Sequence, residues 1–600
     1  MILKMHKYTF WVYHSDFEDF LAQLQELGVL HICEKETVPE FEDNLPGKIA
    51  NVERTLKFLR RQKVETEGSV PALEAHELVE DIAEKQKELD EINQELLDLK
   101  KTRERLEIWG DFSFETLSKI EAEGYTLKFF NLVQKKYNAE IFEGLNAEII
   151  AEAGGNLYFV VVCRAGETPV IDDAEEMILP DISLQETINK IAALKQKIKA
   201  IEEKFDVYAR SAIEVLETYR NRLADQLDFQ QASQNAVVAV DEKVRVLEGW
   251  IPEEKTQQID AVLDRQDIFC TKEEVAKQDN PPILIKNNRF SKLFEPIGKL
   301  FSLPDYREID LTVFFAPFFM MFFGFCLGDA GYGLLFILVA GIYRIKAKKE
   351  IKPVLSLLQY LGLATLIFGV LTGTVFGIDL IKTKVHFLAD YKKFFLDPGK
   401  MFYLALALGG LQIVFGMFIK VANLVKQQGF AHALSTIGWL VVIMGGIIYE
   451  GLTRLNVISP NSIILYAIVI AGGILILFFS DVNSNVFARV GKGIWDVYST
   501  VTGIFGDLLS YIRLFALGLS SAILGFVIND IGLQILGSSK ILGPVFFIIF
   551  LLLGHTLNIL ISSLGAFVHP MRLTFVEFYK NSGFKGGGKA YKPFSKKIKI

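Results

Sequence analysis

Hydrophobic residues are distributed very differently along the two halves of this 600-residue chain. Residues 1–310 carry many charges between isolated apolar positions, whereas residues 311–580 consist mostly of apolar runs separated by short polar segments. A helix needs about 20 apolar residues to cross a bilayer. The sequence predicts such helices near residues 312–327, 330–345, 354–376, 402–420, 433–450, 462–480, 497–528 and 541–576. We expect the last two to be tilted or to extend beyond the bilayer, because they are longer than its thickness requires.

Two short segments of the charged half share the predicted order strand, helix, strand. The first is residues 6–34, with HKYTFWVY, DFEDFLAQLQELG and VLHICE, and the second is residues 243–272, with KVRVLEGWI, PEEKTQQIDAVLDR and DIFCTKE. Gly28 suits the end of the first helix, and Pro252 suits the first turn of the second. Residues 109–180 contain the strand-like runs TLKFFNLV and NLYFVVVC, which predict a further α/β lobe.

Two long helical segments lie between these lobes, and their predicted seam positions alternate steps of four and three residues. The positions are Leu78, Ile82, Lys85, Leu89, Ile92, Leu96 and Leu99, then Ile191, Leu194, Ile198, Ile201, Phe205, Tyr208 and Ala212. This spacing is typical of a coiled-coil seam. We predict an internal antiparallel hairpin, a stalk in which Leu89 and Leu96 face Ile198 and Ile201. A coiled coil that dimerises the protein is the alternative.

The predicted fold class is mixed. N-terminal cytoplasmic α/β lobes joined by a long antiparallel coiled-coil hairpin precede a C-terminal polytopic all-α membrane domain of about eight helices. The predicted domains are a proximal α/β lobe (1–47 and 236–280), a coiled-coil arm (48–108), a distal α/β lobe (109–182), a returning arm (183–235), a linker (281–310), the membrane domain (311–580) and a cytoplasmic tail (581–600).

Composition and charge narrow the classes of function. The chain is 50% hydrophobic with a formal net charge of −8 and no basic stripe, which argues against a nucleic-acid partner. Its four cysteines are widely separated and form no CxxC pair, so we expect neither a zinc site nor a disulfide framework.

The flanking charges bear on the orientation in the membrane. The N-terminus has no recognisable secretory signal, so an even number of crossings places both termini in the cytoplasm of a prokaryotic cell, as a multi-pass protein of the cell membrane. The basic segments 344–352 and 596–600 agree with this orientation, whereas the lysines of 382–400 do not.

Arg513 lies inside a run of apolar and small residues that extends from Val497 to Ile528. A guanidinium keeps its charge at any biological pH, and placing it at the centre of a membrane helix costs about 2.5–3.5 kcal/mol or more. Ionisable groups within membranes generally mark ion pathways. A structural ion pair with Asp507 or with a neighbouring helix is the alternative.

A second arginine, Arg572, occupies the last apolar run, after His569 and before Glu577. Polar sequence follows soon after it, so a side chain that reaches the membrane surface is the alternative to a functional role. If Arg513 and Arg572 act on ions, then Asp507, Glu577, His555 and His569 are candidates to line polar access routes.

Several motifs together resemble one family. They are GVLHI at 28–32, LEGWIP at 247–252, PPILIKNN at 281–288, PDYREID at 304–310, FFGFCLGDAGYG at 322–333, SYIRLFALGLS at 510–520 and HTLNILISSLGAFVHPMRLTFVEF at 555–578. In their order and spacing, they resemble subunit I, also called subunit a, of the V-type and archaeal A-type rotary ATPases.

The resemblance implies a non-catalytic stator subunit in the lipid bilayer. In the family, the membrane half faces a rotating ring of proteolipid subunits, and two arginines at the positions of Arg513 and Arg572 discharge the ring carboxylates between two ion half-channels. The N-terminal half holds peripheral stalks and faces the subunit at the central-stalk end of the ring. Many relatives carry an acidic residue before the first arginine, but here the stretch is YSTVTG at 498–503. The coupling ion, H⁺ or Na⁺, therefore stays open.

The sequence offers two alternative functions. A secondary ion transporter with a cytoplasmic coiled-coil regulatory domain is the main alternative, but the sequence shows no pair of corresponding Gly/Pro-broken helices. The segment GFKGGGKA at 583–590 nearly matches the sequence motif of a phosphate-binding loop. However, Ala590 occupies the position that requires Ser or Thr, and the segment follows a helix. We expect a flexible tail there, with no ATP hydrolysis and no cofactor.

Overall fold

A computed structural model describes residues 1–34, 44–62, 74–137, 142, 144–167, 169–239, 241–265, 268–379, 398–457, 459, 463–481, 485–538 and 540–597. The strands are β1 Met5–Tyr13, β2 His31–Ile32, β3 Tyr125–Val133, β4 Ala147–Ala153, β5 Asn156–Arg164, β6 Ala174–Met177, β7 Val237–Ala239, β8 Val244–Pro252, β9 Phe269–Glu274, β10 Thr374–Val375 and β11 Ile378–Asp379. The lysines Lys382, Lys384, Lys392 and Lys393 lie outside the described residues.

The helices of the N-terminal half are α1 Phe17–Leu27, α2 Leu45–Leu59, α3 Ala75–Glu107, α4 Phe114–Ala122, α5 Leu184–Ser211, α6 Ile213–Asn235 and α7 Thr256–Leu263. Those of the C-terminal half are α8 Glu295–Phe301, α9 Thr312–Leu327, α10 Ala330–Lys346, α11 Lys352–Thr372, α12 Pro398–Gln428, α13 Phe430–Arg454, α14 Ile463–Phe479, α15 Val486–Ser538, α16 Leu542–Arg572 and α17 Tyr579–Asn581. Short 3₁₀ turns occur at Gln134–Lys136, Glu253–Lys255 and Ser291–Leu293, and the π-helical segment Leu573–Phe578 joins α16 to α17.

The chain forms two compact units. The first comprises Met1–Tyr13, Val29–Cys33 and Val238–Pro593. The second comprises His14–Gly28, Glu34–Val237 and Phe594–Ile600. The prediction of an α/β region in the N-terminal half is confirmed, because each unit contains a sheet built from that half.

An antiparallel sheet of order β2-β8-β1-β9, with β7 also paired to β8, belongs to the first unit. Strand β1 lies between β8 and β9, with Phe10 opposite both Leu247 and Cys270. Alternate residues of β1, among them Tyr8 and Phe10, are buried, as the two-residue period of a strand requires. The two strand–helix–strand segments of the sequence therefore contribute to one sheet.

Helix α9 packs against three of the long helices of the C-terminal half. This helix contacts α11, α15 and α16, while α10 packs on α11, α12 packs on α13 and α15, and α14 packs on α13 and α15. Five helices of the described chain, α11, α12, α13, α15 and the α16 segment, are long and apolar enough to cross a membrane, and α9 and α14 are shorter apolar helices. The prediction of several apolar membrane helices is thus confirmed, and the count of eight stays a prediction.

A buried carboxylate organises the turn between α9 and α10. Helix α9 ends at Gly328, whose φ of +53° is left-handed and favours glycine. The Asp329 carboxylate accepts the backbone N–H groups of Gly331 and Tyr332 at 2.8 and 3.1 Å, and also those of Phe376 and Gly377, each at 2.8 Å. The GDAG motif therefore joins the start of α10 to the β10–β11 turn.

The segment after α17 packs against the linker that precedes α9. The Glu308 carboxylate is 1% exposed and accepts the N–H groups of Asp305 at 3.0 Å, Lys585 at 2.7 Å and Gly586 at 3.3 Å. The Gly587 N–H donates to Ser302 Oγ at 2.9 Å. The prediction of a flexible tail is wrong here, because a buried carboxylate binds the amides of its glycine-rich loop.

In the second unit, α3 packs against α5. Both helices begin with a capping box, at Glu74–Glu77 and Ser183–Glu186. Leu89, Leu96, Ile198 and Ile201 all belong to the hydrophobic cluster that α3 and α5 share.

The direction of these two helices follows from one contact. The Tyr208 hydroxyl, near the end of α5, donates to the Asp81 carboxylate at 2.7 Å, near the start of α3. The two helices therefore run in opposite directions. The segment between them forms the antiparallel sheet β4-β5-β3-β6, with Phe130 and Phe159 in its buried face.

Candidate functional site

The two longest apolar helices, α15 and α16, pack against each other along a seam. Ile528 lies over Gly554, and Leu517 lies close to Gly565. Residue numbers rise along one helix as they fall along the other, so the helices are antiparallel. All six residues predicted as site candidates lie on α15, α16 or the π-helical segment that follows. We call this contact the α15–α16 seam.

Arg513 lies on α15 beside the buried residues Tyr511 and Leu514. Its Nη1 atom is buried and has no hydrogen-bond partner. Among the described residues, no carboxylate lies within 4.0 Å of its guanidinium group. The described residues therefore give this permanently charged group no neutralising partner, which is costly unless a partner comes from elsewhere.

Asp507 is occupied by other groups. Its Oδ1 atom is 3.0 Å from Lys580 Nζ, and its Oδ2 atom accepts the Asn581 side-chain amide at 2.8 Å. The alternative reading of Arg513 as the ion-pair partner of Asp507 is therefore wrong.

Glu577 lies beside this pair and is only 2% exposed. The Ser510 side chain is close to its carboxyl group, but the Oε2 atom is buried without a hydrogen-bond partner. We call Asp507, Ser510, Glu577, Lys580 and Asn581 the Asp507 cluster.

His569 lies near both arginines. Both Arg513 and Arg572 are close enough for their charges to act on its imidazole ring. Its Nδ1 atom is buried and has no hydrogen-bond partner. Arg572 itself is exposed. The seam therefore concentrates two fixed positive charges around one titratable side chain.

A second polar network surrounds His555. Its Nδ1 atom is 2.7 Å from the Tyr332 hydroxyl, and its Nε2 atom is 3.1 Å from Asn529 Oδ1. The fully buried Asn558 donates to the same hydroxyl at 2.9 Å and accepts from Ser562 Oγ at 2.9 Å. We call these five residues the His555 network.

The two groups of polar residues are far apart along α15. Asp507 and Asn529 are separated by about 33 Å at 1.5 Å of rise per residue, close to the roughly 30 Å of a hydrocarbon core. Arg513 lies between them, about 9 Å from the level of Asp507. The seam thus carries polar side chains near both ends and unneutralised positive charge between them.

Two hydroxyls of the YSTVTG stretch bond within α15 and not to either group. Thr502 Oγ1 donates to the Tyr498 carbonyl at 2.7 Å, and Ser499 Oγ donates to the Asp496 carbonyl at 3.1 Å. Both side chains therefore bond to their own helix. In the part of the chain that the structure describes, no group of three or more His, Cys, Asp or Glu side chains is arranged to hold a metal ion.

Comparison with known proteins decides the family. The model of the V-type ATPase 116kDa subunit family matches residues 162–377 and 501–596, just over half of the chain. The chain belongs to this family. The predicted resemblance to subunit I is confirmed. The second matched segment, residues 501–596, contains all six candidate residues.

Named relatives of this family member are similar over most of its length. The V-type ATP synthase subunit I of Borreliella burgdorferi is 27% identical over 624 residues, covering 99% of this chain and 100% of the relative. The A-type ATP synthase subunit I of Methanocaldococcus jannaschii is 26% identical over 438 residues, covering 67% of this chain and 61% of the relative. A solved cytoplasmic N-terminal domain of V-ATPase subunit I covers 44% of this chain at 13% identity, and its TM-score of 0.23 is too low to support an argument.

Several residues that bind the predicted site residues of this family member were not themselves predicted. Lys580 and Asn581 bind Asp507, while Tyr332, Asn529 and Asn558 surround His555. Asn529 and Asn558 could have been identified from the sequence, because an amide within an apolar helix generally hydrogen-bonds across a helix interface. Tyr332 and Lys580 carried no such signal.

Proposed function

We propose that this chain is the membrane stator subunit of a rotary V/A-type ATPase. In this role it provides two ion half-channels against a rotating proteolipid ring and anchors peripheral stalks. Family membership supports a place in such a complex. The single observation that carries the finer assignment is the buried, unpartnered Nη1 atom of Arg513.

The charge of Arg513 explains how a ring carboxylate would release its ion. At about 4 Å and an effective dielectric constant of about 20, a guanidinium favours the ionised carboxylate by about 4 kcal/mol. An ion bound to that carboxylate therefore leaves when the ring rotates the site towards Arg513. The absence of a neutralising carboxylate among the described residues keeps this charge available to the ring.

The same charge separates the two ion paths. A cation that entered the seam along one polar group would have to pass Arg513 to reach the other, and like charges repel strongly in a low-dielectric interior. We assign the Asp507 cluster and the His555 network to the two half-channels. Glu577 and His569 are titratable groups that feel the charge of one or both arginines and would exchange protons with water in such a path.

The second unit supplies an attachment for the stalks. An antiparallel pair, α3 and α5, ends in a separate four-stranded sheet. A pair of this kind resists torque better than a single helix because its two chains share one hydrophobic cluster. We propose that it is a coiled-coil hairpin that binds the peripheral stalks, and that the α/β lobes face the central-stalk end of the ring.

The subunit itself is proposed to be non-catalytic. In a phosphate-binding loop the backbone amides would cradle phosphate. In the GFKGGGKA loop, the amides of Lys585, Gly586 and Gly587 instead donate to Glu308 and Ser302. We therefore assign ATP hydrolysis or synthesis to other subunits of the complex. Both termini of the chain are proposed to be cytoplasmic.

The test is ion uptake into vesicles that contain the assembled complex. We expect Arg513→Ala to abolish ATP-coupled uptake while the complex still assembles. Arg513→Lys should also be severely impaired, because an ammonium group lacks the planar fork and loses its proton when desolvated. Arg572→Ala should do less damage, since this side chain is exposed. Uptake of H⁺ and of Na⁺ is measured in parallel to establish the coupling ion.

Arg489→Ala is the matched control. It removes an equal charge from the same helix, about 36 Å from Arg513 at 1.5 Å per residue. Near-normal coupled transport by Arg513→Ala would refute the assignment. Ion uptake by the purified chain alone, without the ring, would instead favour the secondary transporter.

A further inference from the structure

A groove lies between the end of α10 and the beginning of α11, on helices that do not form the α15–α16 seam. Its volume is about 420 Å³. It is lined by Arg289, Leu293, Ile337, Arg344, Ser356, Gln359, Tyr360 and Leu363. We call it the α10–α11 groove. Two cations and an apolar wall therefore meet in one cavity.

In the described part of the chain, the two arginines of the groove have no acidic partner. Arg344 Nη1 donates to Gln359 Oε1 at 3.2 Å, which uses one of its five N–H groups. Within the described residues, neither Arg289 nor Arg344 forms an ion pair with a carboxylate. Both side chains are exposed. The donors that remain are free to bind an anion.

The groove is built by packing rather than by a chance approach of two long side chains. The residue after Arg289, Phe290, packs edge-on against Tyr360 of α11 with ring centroids 5.4 Å apart, and it also contacts Phe294 at 5.1 Å. These contacts hold the segment that carries Arg289 against α11. Gln359, which also lies on α11, accepts a hydrogen bond from Arg344 of α10 and so orients its side chain.

The surroundings of the groove are those of a lipid-facing surface. Ile342, Val354 and Leu363 are exposed by 67%, 63% and 40%. Apolar side chains exposed along membrane helices contact acyl chains rather than water. The segment joining the helices carries four lysines, at 346, 348, 349 and 352, against the single acid Glu350. Such basic segments attract anionic lipids.

We propose that the α10–α11 groove binds the phosphate of an anionic phospholipid from the leaflet in which α10 ends and α11 begins. Arg289 and Arg344 bind the phosphate oxygens, because the guanidinium fork matches phosphate geometry. The acyl chains lie along Ile337 and Leu363. Basic pockets between membrane helices are suited to such head groups. This site is independent of the half-channels and of Arg513.

The test uses nanodiscs that contain the assembled complex and trace amounts of a photoactivatable phospholipid. Phosphatidylglycerol and phosphatidylcholine with identical acyl chains are compared, and crosslinked peptides of this chain are mapped. We expect phosphatidylglycerol to label α10 and α11 about tenfold more than phosphatidylcholine. The double variant Arg289→Gln, Arg344→Gln should reduce that labelling about tenfold, and the corresponding Lys variants should restore part of it.

The matched control is Lys348→Gln, Lys349→Gln, which removes the same charge from the neighbouring segment and should retain most of the labelling. An equal loss in both double variants would overturn the proposal, since it would indicate diffuse surface attraction without a defined site. Equal labelling by the two lipids would overturn it as well. Loss of labelling on adding millimolar inorganic phosphate at constant ionic strength would show a free-phosphate site and refute the lipid assignment.

Discussion

Removal of the Glu308 carboxylate should release the C-terminal segment from the linker before α9. Two of the three N–H groups bound by this carboxylate belong to the segment after α17, those of Lys585 and Gly586. Glu308→Ala deletes both acceptor oxygens and leaves these amides without a protein partner. Glu308→Gln keeps the volume and one oxygen, but it places an amide N–H₂ opposite a backbone donor.

The magnitude follows from the number and kind of hydrogen bonds. A hydrogen bond to a charged group contributes about 1.5–3 kcal/mol. The Gly586 contact is long at 3.3 Å, so two such bonds give about 3 kcal/mol at the lower end of the range. At about 1.4 kcal/mol per factor of ten, local opening of the segment should become roughly 100-fold more frequent.

Hydrogen exchange of the full-length chain measures this opening directly, because exchange of a protected amide reports its local opening free energy. We expect about 100-fold faster exchange of peptides covering residues 582–593 in Glu308→Ala. The smaller change Ser302→Ala removes one neutral bond to Gly587 and should accelerate exchange about tenfold or less. Unchanged exchange in Glu308→Ala would refute the reasoning. Equal acceleration in β1 and β8, which belong to the same unit as this segment, would indicate unfolding of the whole unit and would also contradict a local effect.

Two further predictions concern the stalk and the packing of the membrane helices. Tyr208 donates to Asp81, and burial raises the pKa of Tyr208 to about 12 from an ordinary value of 10. The contribution of Tyr208 to stability should therefore be complete below about pH 10 and be lost between about pH 10 and pH 12. Tyr208→Phe should abolish this loss and cost about 1.5 kcal/mol at neutral pH, and hydrogen exchange of α5 amides measures both effects. An added Cβ at Gly369 would lie 2.0 Å from the Ala330 backbone nitrogen, so Gly369→Ala should destabilise the chain by about 3 kcal/mol or more in thermal unfolding. The control Gly410→Ala adds a Cβ that meets nothing within 4 Å, so it should leave the unfolding midpoint unchanged. Equal midpoints for the two variants would contradict the packing argument.

The sequence by itself determined the bounds of two helices of the C-terminal half. The predicted segments 312–327 and 330–345 coincide within one residue with α9 (Thr312–Leu327) and α10 (Ala330–Lys346). This accuracy has a local cause, because a segment in hydrocarbon must satisfy its backbone hydrogen bonds within itself. The motifs also determined the family, since their order along the chain needs no knowledge of contacts. Arg513 was identifiable for the same reason, as a charge inside an apolar run.

Only the tertiary structure decided which side chains meet. Asp507 binds Lys580, 73 residues away; the Tyr332 hydroxyl binds His555, 223 residues away; and Glu308 binds the Lys585 amide, 277 residues away. Nothing in the sequence near any of these residues points to its partner. The partner depends on how each helix is rotated about its axis, and that rotation is set by the close packing of all the neighbouring side chains at once.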